Sequence, residues 1–408
     1  MLAGLIRLLG GEVWRRRDLR LLFTATFLSF LAASITFPLR MLYAQAHHAS
    51  PTQLGILAAA FMVGALVAQL PMGWLVDHWG RVPVFLLGLI THPLITLLYI
   101  PLYHPNELIV LRLLEGMTVA AFQPSTSAYI ADVTSEEHRS EAYGALGATL
   151  NGGLLLGPLF GGVIAQHFGF VTAFVISVGV EALAIPLVIT SVHEPATHQA
   201  SRHEERAPLR ALFSMVLIAV YASFLAVQVA FGVLGALWAI WVHDLGGSYT
   251  YIGVTFSVFA LPQIFLGAGA GRIADRFGRA PFLLVSGLAA GCIYAAYGFM
   301  HNLIAIAVVG VIEGIVIIFQ QPVAQGLLAD ASPVQARGRV QGVAGFVGSI
   351  GGAIASFLAL PLYHQNHPVP FVGAGIVMIL GSSVAAYGAF RWRRRLLGSP
   401  VKPYEQPA

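Results

Sequence analysis

Twelve apolar runs follow one another along the 408-residue chain, separated by short polar breaks. A helix needs about 20 apolar residues to cross a hydrocarbon core of about 30 Å, and each run is about that long. Their approximate limits are 21–43, 53–75, 83–103, 107–130, 141–165, 170–192, 212–242, 251–273, 281–300, 303–328, 340–362 and 369–390. Inside a bilayer every backbone N–H and C=O must be satisfied within the protein, which leaves helices or closed barrels. Runs of this length predict an all-α membrane protein. The loops between them are too short for a folded extramembrane domain, and an enzyme built on one is not expected. Only 10% of the residues are charged, against about 25% in ordinary soluble domains.

Position matters more than sum for these few charges. A formal net charge of +4 would suggest nucleic acid in a soluble protein. Here all the Lys and Arg residues except Arg40 and Arg112 lie at the chain ends or in alternate loops, and the other set of loops carries none. The positive-inside rule places those basic loops, and both termini, in the cytoplasm, as an even number of spans requires. The chain is therefore expected in the cytoplasmic (inner) membrane as a multi-pass protein, with the bilayer and a small molecule as partners and no nucleic acid. Arg15 to Arg20 before an apolar run imitates a secretory signal, but the run continues past any cleavage site, so retention is expected. The outward loops hold His47, His48, His104, His167, His243, His301, His364 and His367, neutral groups that the charge bias does not exclude. The lone cysteine, Cys292, rules out a disulfide scaffold and a thiolate metal site, and reads as a small core residue.

The chain repeats itself. Asp77 and Asp275 stand 198 residues apart, as do Asp132 and Asp330, and the same shift superposes Gly73 on Gly271, Gly80 on Gly278 and Arg81 on Arg279. It also superposes Pro83 on Pro281, Glu115 on Glu313, Gln123 on Gln321 and Pro124 on Pro322. Six spans per repeat is even, so the halves share one orientation and are related by an axis along the membrane normal. The expected organisation is a six-helix bundle over 1–192, a polar cytoplasmic linker over 193–211, and a second bundle over 212–408.

Gly73-x-Leu75-x-Asp77-x-x-Gly80-Arg81-x-Pro83, with its second copy Gly271-x-Ile273-x-Asp275-Arg276-x-Gly278-Arg279-x-Pro281, resembles the loop signature of the major facilitator superfamily. The first copy departs from the family pattern at His78 and Val82, where basic residues are usual. The resemblance implies the major facilitator fold and alternating access without a nucleotide or other cofactor, a proton gradient being the expected coupling. It also implies a latch that closes the cytoplasmic side. Gly73 and Gly271 would let helices approach, Asp77 and Asp275 would face a helix N-terminus of the opposite bundle, and Arg81 and Arg279 would pair with Asp132 and Asp330.

Gly153-x-x-x-Gly157-Pro158-x-x-Gly161-Gly162 on span 5 is similar to the family's antiporter motif, which marks exporters of the drug:proton group. Glycines four apart form a groove for a partner helix, and Pro158 bends its own. Gly267, Gly269 and Gly271 on span 8 are the expected facing surface.

Charges at bilayer depth are costly and usually functional. Arg112 and Glu115, three residues apart, share a face of span 4, and the surrounding stretch resembles the family's Arg-containing motif. Glu313 holds the repeat position of Glu115, but the counterpart of Arg112 is Gly310. A carboxylate beside a guanidinium stays ionised, whereas one without a cation can exchange a proton near neutral pH. Glu313 is therefore the expected proton carrier, and Arg112 with Glu115 a charge pair that binding perturbs. His92 and Glu181 read as a structural hydrogen-bonded pair, with a second proton relay as the alternative, and Arg40 as a side chain that either snorkels outward or touches substrate.

In the superfamily, spans 1, 4, 7 and 10 line the central cavity. Candidate lining residues are Gln123, Tyr221, Gln228, Phe231, Trp238, Gln320 and Gln321. An aromatic surface with a few amides suits amphipathic organic molecules. The expected function is a monomeric, proton-coupled exporter of a small organic or amphipathic compound. Span 1 lacks the acid that many drug:proton antiporters carry there, which keeps export of a sugar, siderophore or metabolite open, and a proton-coupled or facilitative importer of sugars or metabolites is the nearest rival. A non-transporting receptor or lipid-handling protein on the same scaffold is the alternative of another class.

Overall fold

The computed structural model describes residues 14, 16–195, 212–332 and 337–398. The described residues form helices and no strands. In chain order these are α1 (Arg17–Thr36), α2 (Leu39–Ala46), α3 (Pro51–Trp79), α4 (Arg81–Leu98), α5 (Pro105–Val119), α6 (Phe122–Val133), α7 (Glu136–Ala182), α8 (Ala184–Ser191), α9 (Met215–Asp244), α10 (Tyr249–Phe277), α11 (Arg279–Tyr297), α12 (Leu303–Ile317), α13 (Gln320–Ala331), α14 (Arg337–Gln365) and α15 (Pro368–Gly398).

Local chemistry sets these boundaries. Ser50 caps α3 through a reciprocal pair with Gln53 (3.2 and 3.0 Å), Ser214 caps α9, and Asn302 caps α12 at 3.1 Å, each satisfying an orphan N–H. Pro38 separates α1 from α2. Pro124 and Pro322 lack the N–H that a continuous helix would use, and the fourth and tenth spans break one turn earlier, into α5 with α6 and α12 with α13. Gly169, at φ 83°, divides α7 into the fifth span and the start of the sixth.

Nine helical stretches among the described residues are long and apolar enough to cross a membrane. One of them, 141–191, is the pair divided at Gly169, and α5 with α6 (105–133) and α10 (249–277) complete twelve spans in two six-helix bundles. The repeat reaches the backbone. Shifting α3, α5 and α6 by 198 residues reproduces the limits of α10, α12 and α13, and Gly80 (φ 106°) and Gly278 (φ 99°) hold the same left-handed turn. Most of the expected linker, from 196 to 211, lies outside the described residues.

Among the described residues the bundles meet at one end only. At the end bearing the outward histidines, one buried cluster joins both, running from Leu39, Tyr43, Leu54 and Phe174 to Leu237, Trp241, Tyr297 and Phe371. At the arginine-bearing end each bundle keeps its own cluster, around Phe85, Phe122 and Ile130 in the first and around Leu217, Leu283 and Leu328 in the second. Cys292 corrects its core reading: it is exposed on α11.

Candidate functional site

The helices meet through glycines at the joined end. Gly153, Gly157 and Gly161 of α7 lie against Phe30, Leu31, Ser34 and Ile35 of α1, so the groove of the span-5 motif is filled from within its own bundle. Gly162 and Pro158 instead meet α10, where Tyr249 and Gly253 bring backbone against backbone. Tyr249 N–H donates to Gln166 Oε1 at 3.0 Å, and Ser257 Oγ donates to the Leu155 carbonyl. Among the described residues α10 meets the first bundle along its first turns, at Tyr249, Gly253 and Ser257, and the surroundings of Gly267, Gly269 and Gly271 lie outside the described residues. A second seam joins α3 to α14 through Gly55 with Phe357 and Met62 with Gly352.

Towards the arginine-bearing end these seams part. The Cβ positions of Gly73, Gly144, Gly147, Gly342 and Gly345 have nothing within 4 Å. Gly73 thus makes no close helix contact, contrary to the latch expectation. Asp77 is exposed, and among the described residues its carboxylate has no hydrogen bond or ion pair. The side chain of Asp275 and the surroundings of Gly271 lie outside the described residues. The motif's arginines are engaged inside their own bundles: Arg81 Nε donates to Asp132 Oδ2 at 2.8 Å, and Arg279 pairs with Asp330 at 2.6 Å.

A carboxylate does face a helix N-terminus at this turn, but it is Glu194, just beyond α8, and it comes from the same bundle. Its two oxygens accept the Arg81 and Val82 N–H groups at 2.7 and 2.8 Å, the orphan donors at the start of α4. The sequence analysis missed Glu194, and its repeat position, Trp392, offers no counterpart.

At mid-span the first bundle holds a buried charge network. Arg112 Nη1 donates to Glu115 Oε2 at 2.7 Å, Arg40 pairs with Glu115 Oε1, and Tyr99 donates to Glu115 Oε2 at 3.3 Å. His92 Nδ1 lies 2.7 Å from Glu181 Oε2, and Ser29 donates to Glu181 Oε1 at 2.7 Å. Arg40 is 2% exposed, so it neither snorkels nor faces a cavity. The helix break at Pro38 turns it inward to the charge it balances. Arg112 stands at the rim of the network, its guanidinium carbon 4.3 Å from the Phe61 ring centroid and 6.0 Å from that of Phe37.

The second bundle repeats one element of this network. Tyr297 donates to Glu313 Oε2 at 2.7 Å, the bond of Tyr99 to Glu115 shifted by 198 residues, and Tyr294 is a second phenol partner of Glu313. The cations are missing. Trp238 stands at the position of Arg40, Gly310 at that of Arg112 and Ala290 at that of His92. Among the described residues no Lys, Arg or His pairs with Glu313, which is 3% exposed.

The cavity candidates divide. Gln123, Gln321 and Phe231 are exposed and Gln228 is half-buried. Phe231 and Gln228 share the face of α9 on which Gly235 meets Phe37 of the first bundle, and that face borders the cleft between the bundles. Tyr221 is turned into its bundle and donates to the Leu212 carbonyl at 2.9 Å. Gln320 is fully buried and donates to Ser286 Oγ at 2.9 Å. Neither lines the cleft, since both side chains are buried inside the second bundle. Trp238 forms the wall behind Glu313, with Nε1 donating to Thr255 Oγ1 at 2.8 Å and its ring edge-on to Tyr297.

Known proteins resemble this arrangement over nearly its full length. Multidrug resistance protein 2 of Bacillus subtilis (strain 168) is 25% identical over 373 residues, covering 88% of this chain and 92% of the relative. Multidrug resistance protein MdtG of Salmonella typhi is 23% identical over 393 residues, with 93% and 96% covered. Among solved structures, a bacterial homolog of the human lysosomal transporter Spinster, inward-facing and occupied, aligns at TM-score 0.76 and 15% identity, covering 97% of this chain and all (100%) of that one. The human organic anion transporter MFSD10 (TETRAN) aligns at 0.68 and 16%, covering 91% and 99%. Residues 22–356, and in an overlapping match 220–407, fit the Major Facilitator Superfamily itself. With both repeats inside that match, the chain belongs to the Major Facilitator Superfamily and is a membrane transporter, not an enzyme.

Proposed function

We propose that this transporter is a proton-coupled exporter of amphipathic organic compounds, working as a monomer in the cytoplasmic membrane with both termini in the cytoplasm. The observation that carries the coupling is the environment of Glu313. It is a buried carboxylate held by two phenols with no cation beside it, and such a group takes up and releases a proton at far lower cost than the caged Glu115. With the basic loops inside, the parted end opens to the cytoplasm, where an exported compound is collected. Phe37, Phe231 and the Gln228 amide border the cleft, and the exposed amides of Gln123 and Gln321 would extend it as a surface for flat apolar molecules with a few polar groups. The relatives named multidrug resistance proteins support export of such compounds.

The exchange runs in two strokes. Compound enters from the cytoplasmic side while Glu313 is ionised. Protonation of Glu313 from the other side removes a buried charge, and its release to the cytoplasm resets the carrier. Asp77, exposed in this structure, would take part in the latch in the outward-facing state.

The test uses proteoliposomes with an imposed pH gradient and ethidium and a panel of neutral and anionic dyes as probes. Expected are uptake against the proton flow in the unmodified protein and, for Glu313→Gln, at least about a tenfold loss of gradient-driven transport with dye counterflow retained. Proton and dye moving in the same direction would establish an importer and overturn the reading, as would full gradient-driven transport by Glu313→Gln.

A further inference from the structure

The charge network of the first bundle is one proton short if its histidine is neutral. His92 Nδ1 lies 2.7 Å from Glu181 Oε2, and Nε2 lies 3.3 Å from Glu115 Oε1. All three side chains are 1% exposed. A neutral imidazole has a single N–H, and an ionised carboxylate only accepts. Two ring nitrogens facing two carboxylate oxygens therefore leave one lone pair pointed at an anion, with no solvent to screen it.

The rest of the network does not relieve this. The groups facing His92 are Ser29 from α1, Arg40 from α2, Tyr99 from its own helix, Arg112 and Glu115 from α5, and Glu181 from the sixth span. Glu115 is already matched by two guanidinium groups. Glu181 has no guanidinium: its described partners are the Ser29 hydroxyl and His92. A buried carboxylate with one hydroxyl for company is costly, and a proton at His92 supplies the missing hydrogen bond and sets a positive charge directly against Glu181.

We propose that His92, clasped between Glu181 and Glu115, is a second proton-binding site of this transporter. The proton is shared along the His92–Glu181 contact. It belongs to the first bundle alone, because the repeat positions of His92 and Glu181 are Ala290 and Ile379. Glu313 and His92 then give each bundle one buried site. A cycle that moves two protons rests on the antiport reading above, whereas the site at His92 does not.

The full-length protein, labelled with nitrogen-15 histidine and held in lipid nanodiscs, tests this without any transport substrate. His92→Gln assigns the resonance, and should that variant not fold, the change in the same resonance in Glu181→Gln assigns it. Expected at pH 7 is a His92 ring with both nitrogens protonated. A singly protonated ring accompanied by a carboxylic-acid infrared band that Glu181→Gln or Glu115→Gln abolishes also supports the site, since the extra proton then rests on the carboxylate. A singly protonated ring with no such band overturns it. Failure here leaves Glu313 and its transport test untouched, and failure of coupled transport leaves this spectrum untouched.

Discussion

Gly80 shows how much a single residue decides at the start of α4. Its φ of 106° is a conformation that side chains resist, and a Cβ there would come within 2.6 Å of the Glu194 carboxylate. Gly80→Ala is therefore expected to lower stability by about 1 kcal/mol or more, and Glu194→Ala by about 1 kcal/mol through the lost cap. Thermal unfolding in detergent measures both. The two are not additive, because removing Glu194 also removes the collision, so Gly80→Ala should cost less in the Glu194→Ala background. A full additive loss would mean that the clasp does not form. Gly80 was legible from its motif, whereas Glu194 sits beyond a helix end with no pattern to mark it. The same limit applies to Arg40. Proximity in sequence exposed the Arg112–Glu115 pair, but Arg40 reaches Glu115 only because Pro38 turns the end of the first span, and no spacing rule reports that. The Tyr297–Glu313 bond was within reach, since Tyr99 and Tyr297 obey the same 198-residue shift as the two glutamates.

At the scale of elements, apolar run length and Lys/Arg alternation were enough to find each of the helical spans, because the bilayer leaves a backbone few choices. What they could not report is which glycine faces which helix. The span-5 glycines read as a groove for a helix of the other bundle, yet α7 fills that groove with α1 and meets α10 through Gly162, opposite Tyr249, and Pro158, opposite Gly253. Helix rotation and crossing depth are set by the assembled bundle. Gly253 touches the Pro158 backbone across the two bundles, so Gly253→Val wedges the joined end apart. Expected are a loss of at least about tenfold in transport rate, near-normal expression, and increased maleimide labelling of a cysteine placed at Ser356 from the histidine-bearing side. Unchanged transport and labelling would show that this contact does not hold the bundles together.

For the whole molecule, the parted arginine-bearing end predicts a pattern of access. In a Cys292→Ser background, Gly144→Cys and Gly342→Cys should react rapidly with a membrane-impermeant thiol reagent applied from the cytoplasmic side, and Gly352→Cys slowly, because Gly352 packs against Gln228 and Met62. Equal reactivity at all three would contradict a cleft open at that end alone. Sequence reading reached the two-bundle plan through the repeat but not the conformation, since one set of residues must serve both the open and the closed arrangement.

The joined end also fixes the mechanical advantage of the carrier. Along α10 the contacts with the other bundle reach to Ser257, and the 20 residues from there to Phe277 form an arm of about 30 Å. A turn of about 10° about those contacts swings the tip of that arm by about 5 Å, and a point halfway along by about half as much. A seam of glycines at one end thus works as a fulcrum: the mouth widens generously while the middle of the membrane, where Glu313 and His92 sit, shifts little, so the buried groups keep their partners as the doorway moves.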